Sequence, residues 1–199
     1  MTVQGGYGSS EVHDEHSTLD GPSGFTGKID VAPGEELAVV PTDPKPFGHY
    51  DVLSGDERVG ALVLGGREGL ARMTCADGDW WLRKRRRLGW DLFIASCDGE
   101  HLGWYSGRKW LPGGTISLVD DTRFELRPSL NRRWKLSASD SGERVMQLRT
   151  SGGPAAKRVV VAVRMRPAGT ADGSLLLLTS CAVVMLDCMA GFFTISSAQ

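Results

Sequence analysis

SLLLLTSCAVVMLDCMAGFF, residues 174–193, is apolar around nearly the whole circumference of any helix drawn through it. Asp172 or Ser174 can cap its start, and Gly191 can help to end it. A helix without a polar face belongs either in the centre of a protein or in a bilayer. Roughly nineteen residues are enough to cross a membrane, so length does not decide. Transfer energy does not decide either. About nine strongly apolar side chains at about −0.5 kcal/mol each stand against about +3 kcal/mol for Asp187. The question becomes whether the rest of the chain can sheathe such a helix.

From Phe47 to about Met165 the chain is written in short runs of period-two alternation between turn signals. Gly55-Asp56, Asp98-Gly99, Asp120-Asp121 and Ser141-Gly142 are tight-turn dipeptides of the kind that join antiparallel strands. KRVVVAVRM, residues 157–165, is a β-branched strand. Ten to twelve strands fit the spacing, and no helical period appears among them.

The strands also repeat. At an offset of 44, Trp80 matches Phe124, Leu82 matches Leu126, Arg83 matches Arg127, Trp90 matches Trp134, and Leu92 matches Leu136. After one gap, Gly99-Glu100 matches Gly142-Glu143. YDVLSGDERVG, residues 50–60, is a fainter third copy. Each unit is an aromatic-led strand, a tight turn and a return strand. A meander of such units must bury one face, and closing into a barrel removes its edges. A closed sheet of about twelve strands is too wide for its own side chains to fill, so one helix would plug the lumen. The expected fold is therefore mainly β: a closed, roughly twelve-stranded antiparallel barrel enclosing one hydrophobic C-terminal α-helix near residues 175–193.

A meander of such hairpins followed by a hydrophobic C-terminal helix carrying one acid, in CAVVMLDCM (residues 181–189), resembles the tubby-like superfamily. Within it the chain is most similar to the LURP-one-related proteins and the phospholipid scramblases, over roughly residues 47–197. The resemblance implies a twelve-stranded barrel around a central helix, and a lean toward membrane lipids or protein partners. Tubby proteins bind phosphoinositides through basic side chains on the barrel exterior, but no binding position matches residue by residue here. The acidic leader departs from the family pattern, as does the lack of a scramblase-type acidic calcium loop before the helix.

Charge divides the chain in two. Residues 1–44 hold eight acids against Lys28, a net of −7; residues 45–199 hold 22 bases and 16 acids, a net of +6. The Gly/Ser-rich start has too little apolar surface to offset its chain entropy. Residues 1–46 are therefore expected to be a flexible leader, ending at PTDPKP (residues 41–46), with the folded domain at 47–199. The first residues are polar and acidic, unlike a secretory signal, and Cys75, Cys97, Cys181 and Cys188 form neither a CxxC pair nor a zinc spacing. A reducing cytoplasm, with association at a membrane periphery, is the expected setting, and the cysteines are expected to be packing groups.

WWLRKRRRLGW, residues 80–90, sets Arg83, Lys84, Arg85, Arg86 and Arg87 between tryptophans, and the equivalent turn of the repeat carries Arg132 and Arg133. The plain reading is a hairpin with its aromatics in the core and its charges in water. The functional reading is attachment to anionic lipid, with each base contributing about 1 kcal/mol near an anionic surface. Nucleic acid, stacked on the aromatics, is a weaker alternative. A protein partner is another, including the chain's own acidic leader. HDEH (residues 13–16) reads as a solvated acidic tract, not a metal site. His49 and His101 have no nucleophile beside them, GGREG (residues 65–69) and PGG (112–114) read as turn chemistry, and no GxSxG or phosphate loop appears. Asp187 on an apolar helix needs an inward arginine or a place at the barrel mouth. These residues point to a non-enzymatic binding or scaffold module without cofactor or metal. The alternatives are a tail-anchored membrane protein with residues 175–193 in the bilayer, and a nucleic-acid-binding barrel.

Overall fold

The computed structural model describes residues 25, 29, 36–42, 48–65, 70–84, 91–108, 111–151, 158–163 and 173–196, with side chains undescribed at 158–161, 163 and 189–196. Twelve strands precede one helix: β1 (Glu36–Pro41), β2 (His49–Ser54), β3 (Glu57–Leu64), β4 (Ala71–Cys75), β5 (Gly78–Lys84), β6 (Asp91–Ser96), β7 (His101–Gly107), β8 (Gly114–Leu118), β9 (Arg123–Ser129), β10 (Arg133–Ala138), β11 (Arg144–Ser151), β12 (Arg158–Val163) and α1 (Gly173–Ser196). They form one antiparallel sheet in which each strand pairs with its neighbours in the chain, and β1 pairs with both β2 and β12.

Alternation decides which face is which. Leu37 and Val39, Trp80 and Leu82, Leu92 and Ile94, Phe124 and Leu126, and Trp134 and Leu136 are all buried, while the residues between them are half-buried or exposed. The inner face receives α1. Every helix residue from Ser174 to Leu186 is buried, and the helix touches β3, β4 and β12. Burial on all faces is what an all-round apolar helix requires, and fully burying one such side chain contributes about 1.5–3 kcal/mol. Among the described residues no helix is long and apolar enough to cross a membrane.

The repeat is visible as structure. The hairpins β2–β3, β6–β7 and β10–β11 each carry a register shift, at Val52/Leu53, Ile94/Ala95 and Leu136/Ser137. Each turns through a glycine of positive φ: Gly55 (58°), Gly99 (90°) and Gly142 (68°). A bulge adds twist, which a sheet needs if it is to curve around a helix. Two copies differ in length: Leu126 pairs with Leu136, whereas Leu82 pairs with Ile94, so β5–β6 has a connection two residues longer.

One sequence expectation needs correction. The sheet begins inside the segment assigned to the leader: ELAVVP, residues 36–41, forms β1. Its alternating Leu37 and Val39 bury despite the acids before them, because β12 and β2 supply hydrogen bonds on both sides. Ile29 is also buried in the core. At the helix start, Asp172 lies outside the described residues, and the Ser174 hydroxyl donates to Asp77 in the β4–β5 turn.

Candidate functional site: a basic rim

Consecutive antiparallel strands place alternate connections at opposite ends of a sheet. The connections after odd-numbered strands therefore share one end, and those after even-numbered strands share the other. This parity sorts the charged residues. At the odd end stand Arg83 and Lys84 at the close of β5, Arg108 after β7, and Arg132 and Arg133 in the β9–β10 turn, all exposed. Among the described residues none of the five is ion-paired, and the acids at this end are Asp91, which accepts from Ser106 Oγ at 2.9 Å, and Asp187. At the even end stand exposed acids, among them Asp56, Asp98, Glu100, Asp120, Asp121 and Asp140, with Arg58, Arg123 and Arg144. Arg58 there is paired with Asp51 at 2.6 Å.

Of the predicted cluster, Arg83, Lys84, Arg132 and Arg133 thus share one rim. Arg85, Arg86 and Arg87 lie outside the described residues. The two groups are four strand spacings apart, about 19 Å across the sheet, and Arg108 lies between them. Arg108 was missed in the sequence because SGRKW looks like any strand end until the parity of the strands is known.

The β9–β10 turn has an unusual backbone. Asn131 and Arg132 both have positive φ, 60° and 57°. Two such residues make the mirror-image turn that suits a hairpin's twist, in which Gly is favoured at the second place. An arginine held there costs about 1 kcal/mol relative to glycine. The tip is fastened to β11, since the Arg132 carbonyl accepts from Thr150 N at 3.0 Å and Thr150 Oγ1 at 3.3 Å. The sequence thus places a cation at a point where turn geometry asks for none.

Beneath the rim the helix is clamped. Asp187 Oδ2 accepts from the backbone N–H of Gly113 at 2.9 Å. Burial raises the Asp187 carboxyl above the ordinary aspartate range, and the Gly113 N–H only partly offsets this. The expected inward arginine is absent from this contact; the partner is the PGG turn at the mouth. Gly113 has φ 91°, and a Cβ there would fall on the Leu126 carbonyl oxygen. PGG is therefore a helix clamp as well as a turn. Tyr105 lies close by, its hydroxyl buried and without a hydrogen-bond partner. Burial first and the Asp187 charge second push its phenol far above the ordinary range, against a smaller pull from Arg108.

The outer wall beside the rim is aromatic. Trp80 faces the core, while Trp81 faces outward with Arg72 and Arg83 over its ring at 5.3 and 5.5 Å. Arg72 is held by Asp79, its Nε donating at 3.0 and 3.1 Å. Burial alone would raise the Asp79 carboxyl, but the Arg72 guanidinium, with Cys97 and Thr74, holds it below the ordinary range. Across the strands Arg83 stands opposite Phe93, and Phe93 opposite Trp104. His101 stacks on Trp104 at 5.9 Å and meets Phe93 edge-on at 5.5 Å. His49 is exposed on β2, and HDEH lies outside the described residues. Among the described residues no group of three His, Cys, Asp or Glu side chains could hold a metal ion. No family model, curated protein or solved structure matches the chain.

Proposed function

We propose that the chain is a closed, tubby-like barrel sheathing its own helix, and that it acts as a non-enzymatic module binding anionic membrane surfaces through its basic rim. The observation that carries this reading is the gathering of Arg83, Lys84, Arg108, Arg132 and Arg133 at one end without ion-pair partners among the described residues. Arginines free of carboxylates are available to phosphates, which their planar guanidinium groups bind in bidentate fashion. The strained backbone at Arg132 favours function over turn stability.

A phosphate-bearing surface suits the rim better than a nucleic acid does. Base stacking needs free aromatic faces. Trp81 is already covered by two guanidinium groups, and Trp104 by His101. A sheath that buries the helix from Ser174 to Leu186 also favours peripheral attachment over a tail anchor.

The test is co-sedimentation with vesicles of phosphatidylcholine alone and with phosphatidylserine added. The full chain should bind only the anionic vesicles, and more weakly as salt rises. Replacing Arg83, Lys84, Arg132 and Arg133 by Gln removes about 4 kcal/mol of surface attraction at about 1 kcal/mol each, a loss on the order of a thousandfold. Replacing Asp98, Asp120, Asp121 and Asp140 by Asn at the opposite end should not weaken binding. Equal binding by wild type and the rim variant would remove this function.

A further inference from the structure

We propose that the basic rim also carries membrane anchors: Leu111 and Leu130, on two neighbouring turns, enter the acyl layer of an anionic membrane while the bases beside them hold its phosphates. This rests on the reading of the rim as an anionic-membrane site and adds how deeply that site engages.

Among the described residues the large hydrophobic side chains left exposed are Phe93, Leu111, Val119 and Leu130. Apolar side chains exposed singly and at random mean little. The placement of these is not random. Leu111, 63% exposed, stands in the β7–β8 connection, and Leu130, 85% exposed, in the β9–β10 turn. Both connections follow odd-numbered strands, so the two most exposed of the set share the basic rim. Leu111 is three residues from Arg108, and Leu130 two from Arg132. The connections are two strand spacings apart, about 10 Å, so one flat surface can receive both. Phe93 meets His101 edge-on on the outer wall. Val119, 58% exposed, is at the opposite end beside Asp120 and Asp121, which an anionic surface repels.

Both turns are held by backbone bonds. In the β7–β8 connection the Arg108 N–H donates to the Gly113 carbonyl at 3.0 Å, and the Gly113 N–H donates to Asp187 of α1 at 2.9 Å. In the β9–β10 turn the Arg132 carbonyl accepts from the Thr150 N–H at 3.0 Å. A turn already fixed loses little conformational freedom when its side chain enters a lipid layer. The chemistry also favours lipid over protein. The leucines stand apart among bases that have no ion-pair partner among the described residues, whereas the cores of protein interfaces are depleted in charge. A protein would have to set a carboxylate against each base and a pocket against each leucine. An anionic bilayer offers phosphates at every lateral position with a fluid apolar layer beneath them. Attachment to it grows with buried apolar area together with attraction to anionic lipid.

The experiment uses the full chain carrying Leu111→Ser and Leu130→Ser. It is applied to vesicles of phosphatidylcholine and phosphatidylserine at physiological salt, and to monolayers of the same lipids. Each leucine should contribute roughly tenfold to binding, so the paired variant should need about a hundredfold more lipid for half-binding. Wild type should raise the surface pressure of the monolayer and the variant should not, since adsorption to headgroups leaves the acyl layer undisturbed. Val119→Ser should match wild type in both measurements. Equal vesicle binding by wild type and the leucine variant, with binding lost when the rim bases become Gln, means adsorption to headgroups alone; it overturns the insertion and leaves the anionic-membrane site standing. No binding of wild type to anionic vesicles overturns both. A wild type that self-associates without lipid, beside a leucine variant that stays monomeric, assigns the leucines to a second copy and overturns the proposal. Should dichroism show the variant unfolded, the wild-type monolayer decides, and no rise in pressure overturns the insertion.

Discussion

Leu175, Leu176, Leu177 and Leu178 are four consecutive helix residues, 1%, 0%, 3% and 0% exposed. At 3.6 residues per turn they point in directions about 100° apart and together sample the whole circumference of α1. Each should therefore be costly to truncate, with no helical period in the costs. Leu→Ala removes the equivalent of about three methylenes, or roughly 2.4 kcal/mol at 0.8 kcal/mol each. A cavity term adds to this, because strands held by hydrogen bonds on both sides cannot collapse into the gap. The total should lie at about 3–5 kcal/mol for each of the four. In urea, with a slope of about 2 kcal/mol/M, that lowers the midpoint by roughly 1.5–2.5 M. Leu130, 85% exposed at a hairpin tip, is the control and should cost under about 0.5 kcal/mol. Far-ultraviolet dichroism and the fluorescence of buried Trp80 and Trp134 should report the same midpoints. One or two of the four leucines costing less than about 1 kcal/mol would mean a helix lying against the sheet with a face open to water or lipid, and the sheathed arrangement would be refuted.

Two further outcomes follow from the rim and the clamp. Folding raises the Asp187 carboxyl, so the unfolded chain gives up this proton first as pH rises; between the ordinary aspartate range and the raised value the folded chain holds more protons, and stability falls across that window before levelling. Asp187→Asn, which keeps an acceptor for the Gly113 N–H, should abolish that fall and raise the urea midpoint at neutral pH; an unchanged pH profile would mean that the carboxyl is not buried at the mouth. Arg132→Gly should stabilise the fold by up to about 1 kcal/mol, or about 2–4 °C in Tm, by relieving the positive φ. The same variant should weaken binding to anionic vesicles, and a variant that loses stability would contradict the strained turn.

The parts of the fold that can be read from the sequence are those that repeat or alternate. The period-two runs around Trp80–Leu82 and Phe124–Leu126 became buried inner faces, and the Gly55, Gly99 and Gly142 turns became the three bulged hairpins. The helix is legible because an apolar surface on every side has so few places to go. β1 is not legible from composition, because its four-residue apolar core, Leu37–Val40, sits among acids and prolines that dominate any window; long-range pairing with β12 outweighs local propensity there. Gly113 is not legible as the partner of Asp187, because 74 residues separate them and the donor is a backbone N–H, which every non-proline residue has.

The basic rim was half legible, and the reason is parity. Local charge runs pick out Arg83 and Lys84 but cannot say whether Arg132 faces the same way. In a meander, that depends only on whether an even or odd number of strands intervenes. The connections after β5, β7 and β9 are two strands apart in succession, so their bases add on one rim. The acidic turns at Asp56, Asp98, Asp120-Asp121 and Asp140 follow even-numbered strands and add on the other. Among the described residues, charge is thereby separated along the axis of the helix. Inserting one strand between β6 and β9 would leave the composition almost unchanged and bring the rims' charges into opposition. The separation of charge is a property of strand count, and counting strands is the step that turns a list of charged residues into a surface.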